Sequence, residues 1–277
     1  MSKIIVTHLS PDFDGIPAIW VLKKFHPDFA DAEVKFAPAG ETIDGEPAGS
    51  DPKVIHVDTG GGPFDHHQNN DYTCAADLVW KWIKKERKIE DEAVDRLISL
   101  IVAFDHAKDL EWKDANEDKY DLLLPALISG WKIRYPGQYE KIVDLGLEAL
   151  DAAYEIMKSK VAAENEIKER GKVFKTPWGE SVGLVTRNEG VLMIGEKMGY
   201  ALVVKKDSKR GNIRIYGRAD RGVNLTKVYE KVVSLEPKVH WFLHASKCLL
   251  LNGSSKNPKM IPTSLTLDQM IKIMENA

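Results

Sequence analysis

The chain has 277 residues, 43% of them hydrophobic and 29% charged, and a formal net charge of -3. That length suits two domains of ordinary size, each able to bury a core, and the composition is that of a globular protein. The charge balance excludes a whole-protein electrostatic grip on nucleic acid, no apolar run approaches a membrane span, and two distant cysteines, Cys74 and Cys248, exclude a disulfide framework.

The opening MSKIIVTHLS enters a strand pattern at once and leaves no room for a signal peptide's apolar region, so the expected location is the cytoplasm. KIIVTHL reads as a buried strand, and GIPAIWVLKKF as a helix whose first turn tolerates proline. AEVKFAPA and PKVIHVDTG are further short apolar runs ending in turn residues, and this alternation predicts a parallel α/β sheet. From AADLVWKWIKKERK through DEAVDRLISLIVAFDHA to YDLLLPALISGWKIRYPG the periodicity is helical. A long amphipathic pattern then runs from about residue 138 to 169 and is stopped by Gly171. Beyond it, VFKTPWGESVGLVTR, GYALVVKKD and GNIRIYGRAD read as short strands, with DSKRGN as a hairpin turn. NLTKVYEKVVSL, VHWFLHAS and SLTLDQMIKIMENA follow as helix, strand and helix. The expected fold is therefore α/β: a parallel-sheet N-terminal domain over 1–136, a helical connector over 137–171, and a smaller mixed-sheet α/β domain over 172–277.

Chemistry-bearing residues gather at the ends of these patterns. His8, Asp12 and Asp14 lie within THLSPDFDG, behind the first strand; Asp58 stands at the end of VIHVD, followed by TGGG and then Asp65, His66 and His67; Asp105 and His106 close an apolar helix pattern. Each has an ordinary reading alone: a lone Asp at a strand end caps a helix or forms a turn, His56 packs in its strand, and DHH can be a solvated loop. TGGG lacks the lysine and helix of a phosphate-binding loop. It is the conjunction that matters, because the carboxyl edge of an open α/β sheet is where ligands bind. Histidine with several aspartates and no thiolate is a hard-to-borderline ligand set, suited to Mn²⁺ or Mg²⁺, with imidazole tilting it toward Mn²⁺. The inventory suffices for two such ions.

THLSPDFDG, HVDTG, FDHHQ and AFDHA follow the order of the four motifs of the DHH phosphoesterase superfamily, which the chain resembles. With VDTGGGPFDHHQ and the late WFLHASKCLLLNG, it looks most like the MYG family of DHH-type exonucleases, although LLLNGSS stands where that family has a double glycine. The resemblance implies one ion held by His8 and Asp12, another by Asp14, His66 and Asp105, and Asp58 bridging both. It also implies that His67 faces the scissile phosphate and that Asp65 orients an imidazole from behind.

Charge is uneven in the C-terminal half, where KKDSKRGNIRIYGRADRG carries Arg214, Arg218 and Arg221 in and around a strand pattern. These arginines, with His244, Ser246 and Lys247 of the HAS stretch and Asn252 and Gly253 of the glycine-bearing loop, are the expected substrate contacts. The function expected is two-metal-dependent hydrolysis of phosphodiester bonds in short single-stranded RNA or DNA, with 3′-to-5′ polarity implied by the resemblance alone. Two alternatives are hydrolysis of a small phosphoanhydride or cyclic dinucleotide, and a catalytically silent nucleic-acid-binding module.

Overall fold

A computed structural model describes residues 3–68, 70–253, 257 and 259–277. The chain divides into two compact units, Met1–Lys158 and Ser159–Ala277, and the division falls inside one 32-residue helix. The segment expected as a connector, 137–171, contains this helix, Tyr139–Arg170.

The first unit is built on a three-stranded sheet with β1 (Ile4–His8) in the middle, β2 (Glu33–Ala37) on one side and β3 (Val54–His56) on the other, all parallel. Parallel neighbours need crossovers, and helix α1 (Gly15–Phe25) supplies the one between β1 and β2. Residues 15–22 of α1 are all buried, so this helix is apolar all round rather than amphipathic. Helices α2 (Ala75–Arg87) and α3 (Glu92–Asp105) pack onward from it, α3 being started by Asp91, whose side chain accepts from the amides of Ala93 and Val94. After α4 (Leu124–Arg134), the long helix α5 (Tyr139–Arg170) lies close against α1: a Cβ on Gly146 would stand 2.6 Å from Ile16 Cγ2. Trp20 Nε1 donates to Asp151 across that contact at 2.8 Å. Among the described residues no helix is long and apolar enough to cross a membrane.

Gly171 does end α5, by a route other than a left-handed cap. Its φ is not positive; its hydrogens fit where a Cβ would lie 2.4 Å from the carbonyl oxygen of Ile167 and 2.7 Å from Val182 Cγ2. The second unit carries a six-stranded mixed sheet. The run expected as one strand after Gly171 is a hairpin, β4 (Lys172–Thr176) with β5 (Gly179–Val185), because Pro177 and Trp178 turn the chain. β6 (Leu202–Lys206) is parallel to β5 and antiparallel to β7 (Ile213–Gly217). The β5–β6 crossover is α6 (Gly190–Lys197), a helix that its two glycines conceal in sequence. Gly195 lets it approach the sheet, since a Cβ there would meet Val203 Cγ2 at 2.7 Å. VHWFLHAS yields only the two-residue β8 (Phe242–Leu243), which pairs with β9 (Leu249–Leu251) on the far side of a turn. α7 (Thr226–Leu235) and α8 (Leu267–Glu275), the latter opened by a Thr266–Gln269 capping box, cover the buried face of Leu202, Val204, Ile213, Ile215 and Leu250.

Candidate metal centre

The first unit brings together residues from four separate stretches at the carboxyl ends of its strands. His8 is the last residue of β1, and Asp12 and Asp14 follow in the turn into α1. Asp12 divides its two oxygens between fold and site. Oδ1 accepts from the amides of Asp14 (3.0 Å) and Gly15 (3.3 Å), while Oδ2 lies 3.6 Å from His8 Nε2. Asp14 is fixed by the start of α2, whose first amides, from Ala75 and Ala76, donate to its oxygens at 2.7 and 2.9 Å.

Asp58 follows β3 with a left-handed φ of 57°, a conformation aspartate tolerates better than most residues, and its amide donates to the carbonyl of Phe64 at 2.9 Å. Glycines 60 and 61, with φ of 80° and 65°, complete the turn expected of TGGG. Asp65 Oδ2 then accepts from the amide of Gly61 at 2.8 Å, which holds the returning DHH segment beside Asp58. The two oxygens of Asp58 face different histidines: Oδ2 is 3.1 Å from His8 Nε2 and Oδ1 is 3.8 Å from His66 Nε2. His66 Nε2 also lies 3.4 Å from Asp14 and 3.6 Å from Asp105, which ends α3. Two donor groups result, His8–Asp12–Asp58 and Asp14–His66–Asp105, each compact enough to surround one cation; a third, Asp58–His66–His67, overlaps them.

The electrostatics fit a cation. His66 Nε2 is buried and hydrogen-bonds to nothing although it is ringed by three carboxylates, the arrangement of a nitrogen whose partner is a positive ion. Burial, with the charge of Asp58, pushes the Asp14 carboxyl up to about 8; burial likewise raises Asp58 and Asp105. The His8 imidazole is pushed up to about 10 by Asp12 and Asp58. Burial would raise Asp12, but the hydrogen bonds from His8 and from the amides hold it below the usual carboxylate range. Cys74 lies beside Asp14, where burial and that carboxylate push its thiol up, and it belongs to none of the donor groups, which are oxygen and imidazole.

His67 stands apart: its side chain is largely exposed, and its Nδ1–H donates to Asp65 at 2.8 Å, leaving Nε2 toward solvent. Asp65 therefore orients His67. Asp65 also raises the pKa of His67, as does Asp58. His56 is a structural residue whose Nε2 accepts from the amide of Ile43 at 3.1 Å. Not anticipated were Gly15, where a Cβ would stand 2.6 Å from Thr7 Oγ1 and 3.4 Å from Asp58 Oδ2, and Lys132, whose Nζ donates to the Ser10 carbonyl at 2.9 Å. The first could have been suspected from a glycine one residue past a ligand; nothing local marks the second.

The second unit places its expected substrate residues unevenly. Arg214 is bonded to Glu189 and approaches the Tyr216 hydroxyl at 3.3 Å; Arg218 is chelated by Asp220 at 2.9 and 2.5 Å. Arg221 is exposed at a turn. His244 Nδ1 lies 2.9 Å from the Ser246 hydroxyl, and Lys247, with φ 63°, closes that tight turn by donating its amide to the His244 carbonyl. Asn252 is corrected: it is wholly buried, its Nδ2 donates to the carbonyls of His240 and Ile261, and its Oδ1 accepts from the amide of Thr263, so it staples loops and has nothing left for a ligand. Gly253 beside it is buried, with φ 91°, and its carbonyl accepts from Asn212.

No protein-family model matches the chain, and no curated protein matches it. Among solved structures, a DHH-domain protein described as a member of the s1p family of ribosomal proteins is similar over 99% of this chain and 86% of its own. The identity is 12% and the TM-score 0.34. A similarity this distant leaves the assignment to the residues themselves.

Proposed function

We propose that the protein is a DHH-superfamily phosphoesterase that binds two divalent ions, Mn²⁺ foremost, and hydrolyses phosphodiester bonds in short single-stranded nucleic acid. One observation carries the reading: the carboxylate of Asp58 turns one oxygen to His8 and the other to His66, so a single side chain joins two donor groups. Divalent ions held there would supply polarisation of the phosphoryl group and a bound water of lowered pKa. His8 and Asp12 are assigned to one ion, Asp14, His66 and Asp105 to the other, with Asp58 shared. His67, held by Asp65 through Nδ1–H, presents Nε2 to a phosphoryl oxygen or leaving group, to which it donates when the imidazole is protonated, a state that Asp65 and Asp58 favour.

For the second unit we propose phosphate contacts by Arg221, His244 and Lys247, whose side chains carry no ion pair among the described residues. Arg214 and Arg218 take a lesser part because carboxylates already hold them. The motif resemblance supports the superfamily, and its late HAS stretch supports the exonuclease-like branch. The test is Mn²⁺-dependent product release from labelled oligonucleotides, cyclic dinucleotides and pyrophosphate in parallel. Oligonucleotides should be cleaved fastest. Faster cleavage of pyrophosphate would move the reading to a small phosphoanhydride, and no hydrolysis by metal-loaded protein would leave a binding module.

A further inference from the structure

Tyr72 is 58% exposed, two residues ahead of the Cys74 that precedes the Asp14-binding amides of Ala75 and Ala76. Its ring lies 4.6 Å from that of His106, tilted by 38°, and His106 is the residue next to Asp105. The imidazole is held still: Nε2–H donates to the carbonyl of Thr73 at 3.0 Å, and the backbone amide donates to Val102 at the end of α3. The turn that carries Tyr72 is held as well, with the Thr73 hydroxyl donating to Asp77 at 2.7 Å and the Thr73 amide to the Asp71 carbonyl at 2.9 Å. That turn leads directly into the amides of Ala75 and Ala76 that grip Asp14. Tyr72 and His106 are thus tied by short connections to two aspartates of one donor group.

Phe13, between Asp12 and Asp14, is engaged with other rings. Phe13, Phe104, Trp112 and Tyr120 form a continuous row of edge-on and tilted contacts, with centroids 5.7, 5.8 and 4.9 Å apart. Tyr72 has His106 alone as a ring partner among the described residues, and most of its surface is open. A fixed, exposed aromatic ring seated on the residue that follows Asp105 offers a nucleobase a surface, since every base has a π-face and stacking on it tolerates any sequence.

We propose that Tyr72, seated on His106, is a base-stacking platform that makes this centre prefer a phosphoester bearing a nucleobase over a base-free one. The inference rests on the phosphoesterase reading and goes beyond it by naming the residue that selects the substrate class. It is tested by comparing a dinucleotide with the same dinucleotide carrying an abasic sugar, using Mn²⁺-loaded wild type, Tyr72→Ala and Tyr72→Phe. Wild type should favour the base-bearing substrate in kcat/KM, chiefly through KM, by about tenfold, the size of one lost stacking contact. Tyr72→Ala should bring that ratio close to one, and Tyr72→Phe should keep it. Calorimetric binding of adenosine monophosphate should weaken in Tyr72→Ala by a similar factor. A ratio or nucleotide affinity unchanged in Tyr72→Ala overturns the platform while leaving the phosphoesterase reading intact. Failure of wild type to cleave either dinucleotide overturns the reading beneath it.

Discussion

The two units handle their charged residues in opposite ways. In the second, the buried Lys205 is bonded to Glu189, Arg214 shares the same carboxylate, Arg218 is chelated by Asp220, and Asn252 has every hydrogen bond filled. In the first, Asp14, Asp58 and Asp105 crowd around a histidine nitrogen that bonds to none of them, and Asp58 is held in a left-handed backbone conformation. In the second unit these polar groups come out paired, whereas in the first several carboxylates converge on one imidazole nitrogen, with Asp14 held there by backbone amides. The contrast is what favours the first unit as the seat of the proposed metal centre.

The sharpest way to break this contrast is to remove the shared carboxylate. Asp58→Asn should cut hydrolysis by more than about a hundredfold while the fold survives, because an amide cannot bridge two cations. Activity assays with circular dichroism check both halves. Asp65→Ala should lower kcat by about tenfold to a hundredfold with metal content retained, since it frees His67 to turn; metal analysis beside kinetics separates it from a ligand loss. Gly15→Ala forces a Cβ toward Thr7 Oγ1 and the Asp58 carboxylate, and should cost about 1–3 kcal/mol of stability together with activity, read by denaturant unfolding.

A milder test uses pH. The folded chain holds protons on Asp14 and His8 to higher pH than ordinary groups do, so their contribution to stability is present at low pH. It is lost as pH rises through about 8 for Asp14 and about 10 for His8. The metal-free protein should therefore melt at a lower temperature at pH 9 than at pH 6, and Mn²⁺ should raise the melting temperature more at pH 9, where fewer protons must be displaced. Thermal scans with and without the ion check it. The smallest effect belongs to the paired side: Arg218→Ala should leave the melting temperature almost unchanged, because its partner is an exposed carboxylate two residues away.

Most of the architecture could be read from sequence where one element's pattern was complete in itself. Gly15–Phe25 matches GIPAIWVLKKF residue for residue because an apolar run with a tolerated proline and a following His-Pro break has one reading. The elements missed depend on partners far away in the chain: α6 hides behind glycines that the sheet requires, and LLL is a strand only because β7 lies beside it. The centre was legible for a related reason. His8, Asp12, Asp14, Asp58 and Asp105 stand at or just past strand and helix ends and His66 in the loop after Asp58, where sequence patterns announce them, whereas Lys132 and Tyr72 gain their places from tertiary contacts that no local pattern carries. Asn252 misled because a polar residue beside a loop glycine looks available until its three partners are seen.

The central claim is that one carboxylate joins two cation sites in the first unit. Mn²⁺ bound per chain, measured by equilibrium dialysis and elemental analysis in wild type and in Asp58→Asn, tests it most directly. The account predicts two ions per wild-type chain and weakened binding of both in the variant; a single ion in wild type, or two ions held equally tightly without the Asp58 carboxylate, would contradict it.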